Sequence, residues 1–321
     1  MEYVNLGRTG LKVSQFCLGT TNFGVVTEEE DSHHIMDAAF DAGINFLDTA
    51  DAYGYSKGKG KTEEIIGRWL QKNPAKRNRV VLATKVFTPM TDDINDRGLS
   101  AYHIKRACED SLRRLQVDHI DLYQMHHIDR STPWEEIWQA MEQLVREGKI
   151  SYVGSSNFAA WNIAQANEIA KSRHFLGLVS EQSVYNLRAR TVELEVLPVC
   201  KAYGLAFIPY SPVSGGMLAG VLDQPSGGRS DNRRELIEKL RPQLEQYEAL
   251  CKELGHHPAD VALAWVRQQS GVTAPIIGPR TMAHLEGNLN TLDIDFDEDT
   301  LAKLDEIWPG PGNQAPEAYA W

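Results

Sequence analysis

The chain has 321 residues, 42% of them hydrophobic and 24% charged, which is enough for a large core and ordinary for a soluble globular protein. Its formal net charge of −11 argues against a general nucleic-acid or anionic-membrane surface, since both need a basic face. No run approaches the about 20 apolar residues that span a bilayer, and Met1–Gly10 lacks the apolar stretch of a signal peptide. Cys17, Cys108, Cys200 and Cys251 are scattered without a zinc-ligand rhythm and read as reduced thiols of a cytoplasmic protein.

In chain order, residues 2–14, with Gly7 and Gly10 between two strand-like pieces, predict a hairpin capping a barrel floor. Short apolar runs then alternate with longer amphipathic stretches. The runs Phe16–Leu18, Asn45–Asp48, Val80–Lys85, Ile120–Met125, Tyr152–Ser155, Leu178–Gln182, Ala206–Pro209 and Ala274–Gly278 suit parallel strands buried on both faces. Helices are predicted over Asp31–Ala42, closed by Gly43, over Thr62–Gln71, over Ala101–Leu115 after Ser100, and over Trp134–Glu147 after Thr132-Pro133. Further helices are expected at Ala159–Lys171, Val192–Tyr203, Pro258–Gln269 and Met282–Leu289.

Eight alternations without a composition break predict one α/β domain over residues 1–321, a (β/α)8 TIM barrel. A doubly wound open sheet would want G-x-G-x-x-G after its first strand, and none is there. Residues 213–238, rich in Gly, Ser, Asp and Arg, predict a long loop at the C-terminal face. The last dozen residues, with Tyr319 and Trp321, predict a tail over the surface.

Gly54-Tyr-Ser-Lys-Gly-Lys-Gly-Lys-Thr62 mimics a phosphate-binding loop, but five residues separate Gly54 from Gly60 where a Walker motif has four. Nucleotide hydrolysis is therefore rejected. Asp48, Lys85 and His126 each close or directly follow an apolar run, and Tyr53 lies in the loop after Asp48. Ends of buried strands are where a parallel barrel collects catalytic side chains. Carbonyl reduction needs a hydride at carbon and a proton at oxygen. A tyrosine can supply the proton, although its ordinary pKa is about 10. A neighbouring ammonium stabilises phenolate, and an aspartate fixes the ammonium. Tyr53, Lys85 and Asp48 are those residue types, and His126 could orient the oxygen.

Gly43-Ile-Asn-Phe-Leu-Asp-Thr-Ala-Asp-Ala-Tyr-Gly54, Ala83-Thr-Lys85, Ile120-Asp-Leu-Tyr-Gln-Met-His126, Gly154-Ser-Ser-Asn-Phe158 and Ile277-Gly-Pro-Arg280 resemble the aldo-keto reductase superfamily. The resemblance covers essentially the whole chain and is closest to the microbial and potassium-channel-β-like branches. It implies Tyr53 as general acid, Lys85 as the partner lowering its pKa, Asp48 as support for Lys85, and His126 as the orienting residue. Many relatives continue with tryptophan and proline, where this chain has His127 and Ile128.

The resemblance also implies a nicotinamide dinucleotide extended over the barrel mouth, with Thr20, Thr21 and Asp48 in its track. Ser156, Asn157 and Gln182 would hold the carboxamide, and Tyr210 would stack on the nicotinamide. Ser211, Pro212, Val213, Gly216 and Leu218 would line the pyrophosphate path through backbone amides. Relatives often have basic residues where this chain has Gly215 and Val221, so backbone donors, or Arg229, Arg233 or Arg234, would have to neutralise the phosphates. Gly278, Arg280, His284 and Asn288 match the adenosine end. Arg280 suits a 2′-phosphate, so NADPH is expected ahead of NADH. His284 and Gly287 replace the glutamine and glutamate that relatives commonly carry.

His33-His34 and His256-His257 are adjacent pairs, a spacing that does not build a metal site, and no metal is expected. Trp134 and Trp138 predict helix-to-barrel packing. The run Glu28–Asp31 predicts a helix N-terminus. The expected activity is reduction of a small-molecule aldehyde or ketone. Tyr55, Phe87 and His127 are expected at the substrate pocket, with Met90, Trp308 and Trp321 as further apolar walls. A cofactor-binding regulatory subunit of the channel-β type is the alternative. Such subunits often have asparagine where His126 stands, and no partner-binding surface or oligomeric state is specified here. A hydrolase using Asp48 and Asp51 would leave Lys85 and Arg280 without a role.

Overall fold

The structure, a computed structural model, describes residues 1–223 and 234–312. Strands β1 (Tyr3–Asn5) and β2 (Lys12–Ser14) pair antiparallel as the expected hairpin. Eight parallel strands follow: β3 (Cys17–Gly19), β4 (Phe46–Asp48), β5 (Val81–Val86), β6 (Ile120–Met125), β7 (Ile150–Ser156), β8 (Leu178–Gln182), β9 (Ala206–Phe207) and β10 (Ile276–Ile277). Their order is β10-β3-β4-β5-β6-β7-β8-β9. The ring closes where Thr273 and Ile276 donate their amide protons to the carbonyls of Phe207 (2.9 Å) and Pro209 (2.8 Å). The fold is a (β/α)8 barrel with an N-terminal hairpin.

Around it lie α1 (Glu29–Asp41), α2 (Lys61–Lys72), the single turn α3 (Pro74–Arg77), α4 (Ala101–Leu115), α5 (Trp134–Arg146), α6 (Ala160–Ser172), α7 (Val196–Tyr203), α8 (Arg234–Leu254), α9 (Pro258–Gln268), α10 (Met282–Asn290) and α11 (Glu298–Ile307). The acidic run Glu29–Asp31 forms the first turn of α1, where the helix dipole favours it. Ser100, Thr281 and Asp297 cap α4, α10 and α11 by accepting a backbone N–H three residues on. His257 caps α9, which is what one member of the second histidine pair does. Trp134 and Trp138 stack on each other at 5.6 Å and donate to Gln165 Oε1 (2.9 Å) and the Ala166 carbonyl (3.0 Å) of α6, so the contacts they make are to the neighbouring helix.

Two apolar layers result. Phe46, Val81, Ala83, Leu122, Ala206 and Ile276 fill the barrel, and Leu6 and Val13 of the hairpin segment close its floor. Gly7 there approaches so closely that an added Cβ would sit 2.6 Å from the carbonyls of Val179 and Gly204, so only glycine fits. A larger layer joins the barrel to the helices.

Two expectations are corrected. Within 213–238 the described residues include a short turn at Ser214–Gly216, and α8 already begins at Arg234. Pro242 lies within α8 and obscures its pattern, although Ile237, Leu244, Tyr247 and Leu250 keep helical spacing and are buried. Helix α11 went unforeseen, and Trp308 beside it, expected as an apolar pocket wall, is instead buried against Tyr247 (6.4 Å between ring centroids). The tail with Tyr319 and Trp321 lies outside the described residues. Among the described residues no helix is long and apolar enough to cross a membrane.

Candidate active site

Side chains alternate along a strand, so each inward row that begins with core residues continues to the barrel mouth. Phe46 leads to Asp48, Val81 and Ala83 lead to Lys85, and Leu122 leads to Gln124. The rows change from apolar to charged at one level, and three strands deliver their polar ends to one place.

There Lys85, fully buried, donates from Nζ to Asp48 Oδ2 (2.5 Å), the Thr49 carbonyl (2.8 Å) and the Tyr53 hydroxyl (3.3 Å). Asp48 Oδ1 accepts from Gln124 Nε2 and Gln182 Nε2, both at 2.9 Å. Asp48, at the end of β4, is thus held from three other strands, β5, β6 and β8. Tyr53 meets the His126 ring edge-on at 6.0 Å between centroids. All four expected catalytic residues are brought together.

Burial works against the Lys85 charge, but Asp48 and Tyr53 outweigh it and hold the ammonium above its ordinary range. Burial pushes the Tyr53 phenol up to about 12, with Lys85 opposing the rise and Asp48 and Tyr55 adding to it. Lys85 acts in the expected, lowering direction, and burial is the larger influence. Desolvation outweighs the single cation, and the phenol keeps its proton at neutral pH. Burial, then Lys85 and His127, lower His126 to about 3, so its imidazole is neutral.

The strand β7 turn forms the neighbouring wall. Asn157 adopts φ +59, and its Nδ2 donates to Ser156 Oγ (3.0 Å) and the His126 carbonyl (3.2 Å). The Tyr210 hydroxyl donates to Asn157 Oδ1 (2.9 Å). Ser156, Asn157 and Tyr210 therefore cluster beside His126, whereas the Gln182 amide nitrogen is turned to Asp48. Beneath the turn, Glu181 is fully buried and accepts from Ser155 Oγ (2.5 Å), Ser183 Oγ (2.6 Å) and the Phe158 N–H (3.1 Å). Burial raises its carboxyl to about 7 against those hydrogen bonds.

At the mouth, Thr20 is buried with its Oγ1 on the Asp48 carbonyl (2.9 Å), and Thr21 pairs with the Tyr55 hydroxyl (3.2 Å). Tyr55 is exposed and lies 6.0 Å from the Tyr53 ring, and Phe87 lies 5.4 Å from the His127 ring. These three expected pocket residues thus edge the opening. Met90 instead lines a separate cavity of about 330 Å3 with Lys59, Asp96 and Arg114, away from the four catalytic candidates.

The expected phosphate path differs from the reading in one respect. The amides of Gly216 and Leu218 both donate to the Val213 carbonyl (2.9 and 3.2 Å), and Pro212 has no N–H. Pro212, Gly216 and Leu218 therefore offer no uncommitted backbone donor. Arg229 and Arg233 lie outside the described residues, and Arg234 opens α8. At the other end, Gly278 accepts from Asn22 Nδ2 (3.0 Å) and Arg280 precedes the Thr281 cap of α10. His284 and Asn288 lie four residues apart on one face of that helix, and Arg280 lies just before its cap.

Sequence reasoning missed Gln124, Glu181 and the Thr49 carbonyl. Gln124 was readable as the inward position two before His126.

The parallel barrel thus holds a buried aspartate and lysine at its strand ends, with a half-buried tyrosine from the turn after β4 on the lysine. A profile of the Aldo/keto reductase family matches residues 15–309, and the chain belongs to that family. It is 54% identical, over 100% of both chains, to the uncharacterized oxidoreductase YrpG of Bacillus subtilis (strain 168). It is 33% identical to the versiconal hemiacetal acetate reductase of Aspergillus parasiticus, over 95% of this chain and 96% of that one. It is also 33% identical, over 92% of each chain, to a probable voltage-gated potassium channel subunit beta of Oryza sativa subsp. japonica. The protein is an oxidoreductase of the aldo-keto reductase type.

Proposed function

We propose that this chain reduces an aldehyde or ketone to the alcohol with NADPH, Tyr53 acting as general acid. The observation that carries the reading is the buried chain from Asp48 through Lys85 to the Tyr53 hydroxyl, open toward His126 and the mouth. The cofactor fits what is present. Asn157, Ser156 and Tyr210 offer an amide, a hydroxyl and a ring for the nicotinamide end, and Arg280 at a helix start suits a 2′-phosphate.

The bound cofactor supplies a hydride to the carbonyl carbon. The protein's own groups do the rest. Tyr53 holds a proton at neutral pH and yields it to the carbonyl oxygen as charge develops there. Lys85, held cationic by Asp48, stabilises the phenolate left behind. Neutral His126 can donate one hydrogen bond to the same oxygen and aim it without adding charge. Gln124 and Gln182 hold Asp48, so the ammonium cannot swing away.

Tyr53→Phe tests the assignment. NADPH oxidation with a panel of aldehydes and ketones should fall by at least about a hundredfold, while NADPH binding by fluorescence titration stays within about twofold. Retention of most of the turnover would refute Tyr53 as the acid.

A further inference from the structure

We infer that Glu181 is the positioning residue of the cofactor wall: its carboxylate clamps the turn that presents Ser156, Asn157 and the Tyr210 hydroxyl. The inference rests on the proposed nicotinamide cofactor and names the group that keeps the wall for its nicotinamide end in shape.

On its front, the turn carries backbone strain. Asn157 lies in the left-handed region (φ +59), which is unfavourable for L-residues and is tolerated best by glycine and asparagine. Its N–H donates to the Gln182 carbonyl (3.0 Å), and its side chain is shared among Ser156, the His126 carbonyl and Tyr210. The ends of β6, β7, β8 and β9 thus converge on one asparagine. Strain of this kind gathers at ligand sites and persists only where the surroundings over-determine it.

Glu181 supplies that from behind. Side chains alternate along β8, so Gln182 turns to Asp48 in the barrel and Glu181 to the other face. Ser155 is its partner in the register of β7 with β8. The carboxylate accepts from Ser155 Oγ on Oε2 (2.5 Å), and from the Phe158 N–H (3.1 Å) and Ser183 Oγ (2.6 Å) on Oε1. It therefore grips the chain on both sides of Ser156 and Asn157. The Glu181 carbonyl accepts the Ile208 N–H (2.9 Å), which ties the same residue to the segment carrying Tyr210. Burying a carboxylate costs desolvation that an apolar side chain would avoid, and two acceptor oxygens are what three converging donors require.

Binding of NADPH, NADH and adenosine 2′,5′-bisphosphate, measured by quenching of protein fluorescence without turnover, tests this in wild type, Glu181→Leu, Glu181→Gln and Ser155→Ala. The bisphosphate lacks the nicotinamide end. Glu181→Leu removes both acceptors and should weaken the two dinucleotides by about tenfold. Glutamine keeps one acceptor oxygen for Phe158 and Ser183 and can donate to Ser155, whose own hydroxyl has the Ser180 carbonyl at 3.2 Å. Glu181→Gln should therefore bind them within about twofold of wild type. Ser155→Ala removes only the grip before the turn and should weaken them about fivefold. The bisphosphate should bind all four proteins alike, which a general loss of structure would not allow. Dinucleotide affinities within about twofold of wild type in Glu181→Leu, an equal loss for the bisphosphate, or no advantage of glutamine over leucine would overturn the assignment. If Glu181→Leu does not fold by circular dichroism, Ser155→Ala decides by the same comparison of dinucleotides with bisphosphate. Failure of wild type to bind either dinucleotide would instead overturn the cofactor reading beneath it.

Discussion

Asp48→Ala leaves Lys85 as a charge in the barrel without its carboxylate. At 2.5 Å the gross attraction between the pair is about 7 kcal/mol for an effective dielectric near 20. Desolvating a fully buried ammonium offsets much of that, and removing one partner of such a pair typically costs about 3–5 kcal/mol. The Gln124 and Gln182 amides lose an acceptor as well, a penalty of about 1–3 kcal/mol if water does not enter. Asp48→Ala should therefore lose about 3–5 kcal/mol in urea unfolding, followed by fluorescence and circular dichroism together. The double variant Asp48→Ala/Lys85→Met replaces both charges with apolar groups and should be more stable than Asp48→Ala alone, because the stranded charge is gone. Carbonyl reduction should be lost in both. A loss under about 1 kcal/mol in the single variant, or a double variant less stable than it, would refute the buried ion pair as the centre of the site.

Arg280→Ala should weaken NADPH about tenfold and leave NADH nearly unchanged, by fluorescence titration, if its guanidinium meets the 2′-phosphate; equal losses would count against that contact. Glu181 carries a folded-state pKa of about 7, above the ordinary carboxyl value of about 4.3. Its share of stability is complete below the ordinary value and is lost as pH rises through about 7. Glu181→Gln, which cannot titrate, should remove that decline from thermal midpoints taken between about pH 4 and 7. A difference from wild type that stays constant across the window would contradict the buried carboxyl's role.

The barrel and its chemistry were legible because both follow short-range rules. A buried parallel strand is a continuous apolar run, and a polar residue at its end lies at the mouth, so Asp48, Lys85 and His126 could be placed from spacing alone. The strands Ile120–Met125 and Leu178–Gln182 have the bounds read from sequence. Helix α8 hid behind Pro242, and Trp308 was taken for a pocket wall because an aromatic near a chain end gives no sign of which side it packs on.

Chain pattern alone therefore settled the alternation of elements and the residue types at the strand ends, since these depend on neighbours within a turn or a pleat. It could not settle who holds whom. Gln182 reaches Asp48 across 134 positions because the closed barrel aims the inward side chains of opposite strands at one point, and Arg188 reaches Ser214 across 26 because the segments after β8 and β9 run side by side. Nor could it weigh burial against charge at Tyr53, where desolvation exceeds the pull of Lys85. That balance is a property of the packed interior, and it leaves the phenol holding its proton until the carbonyl arrives.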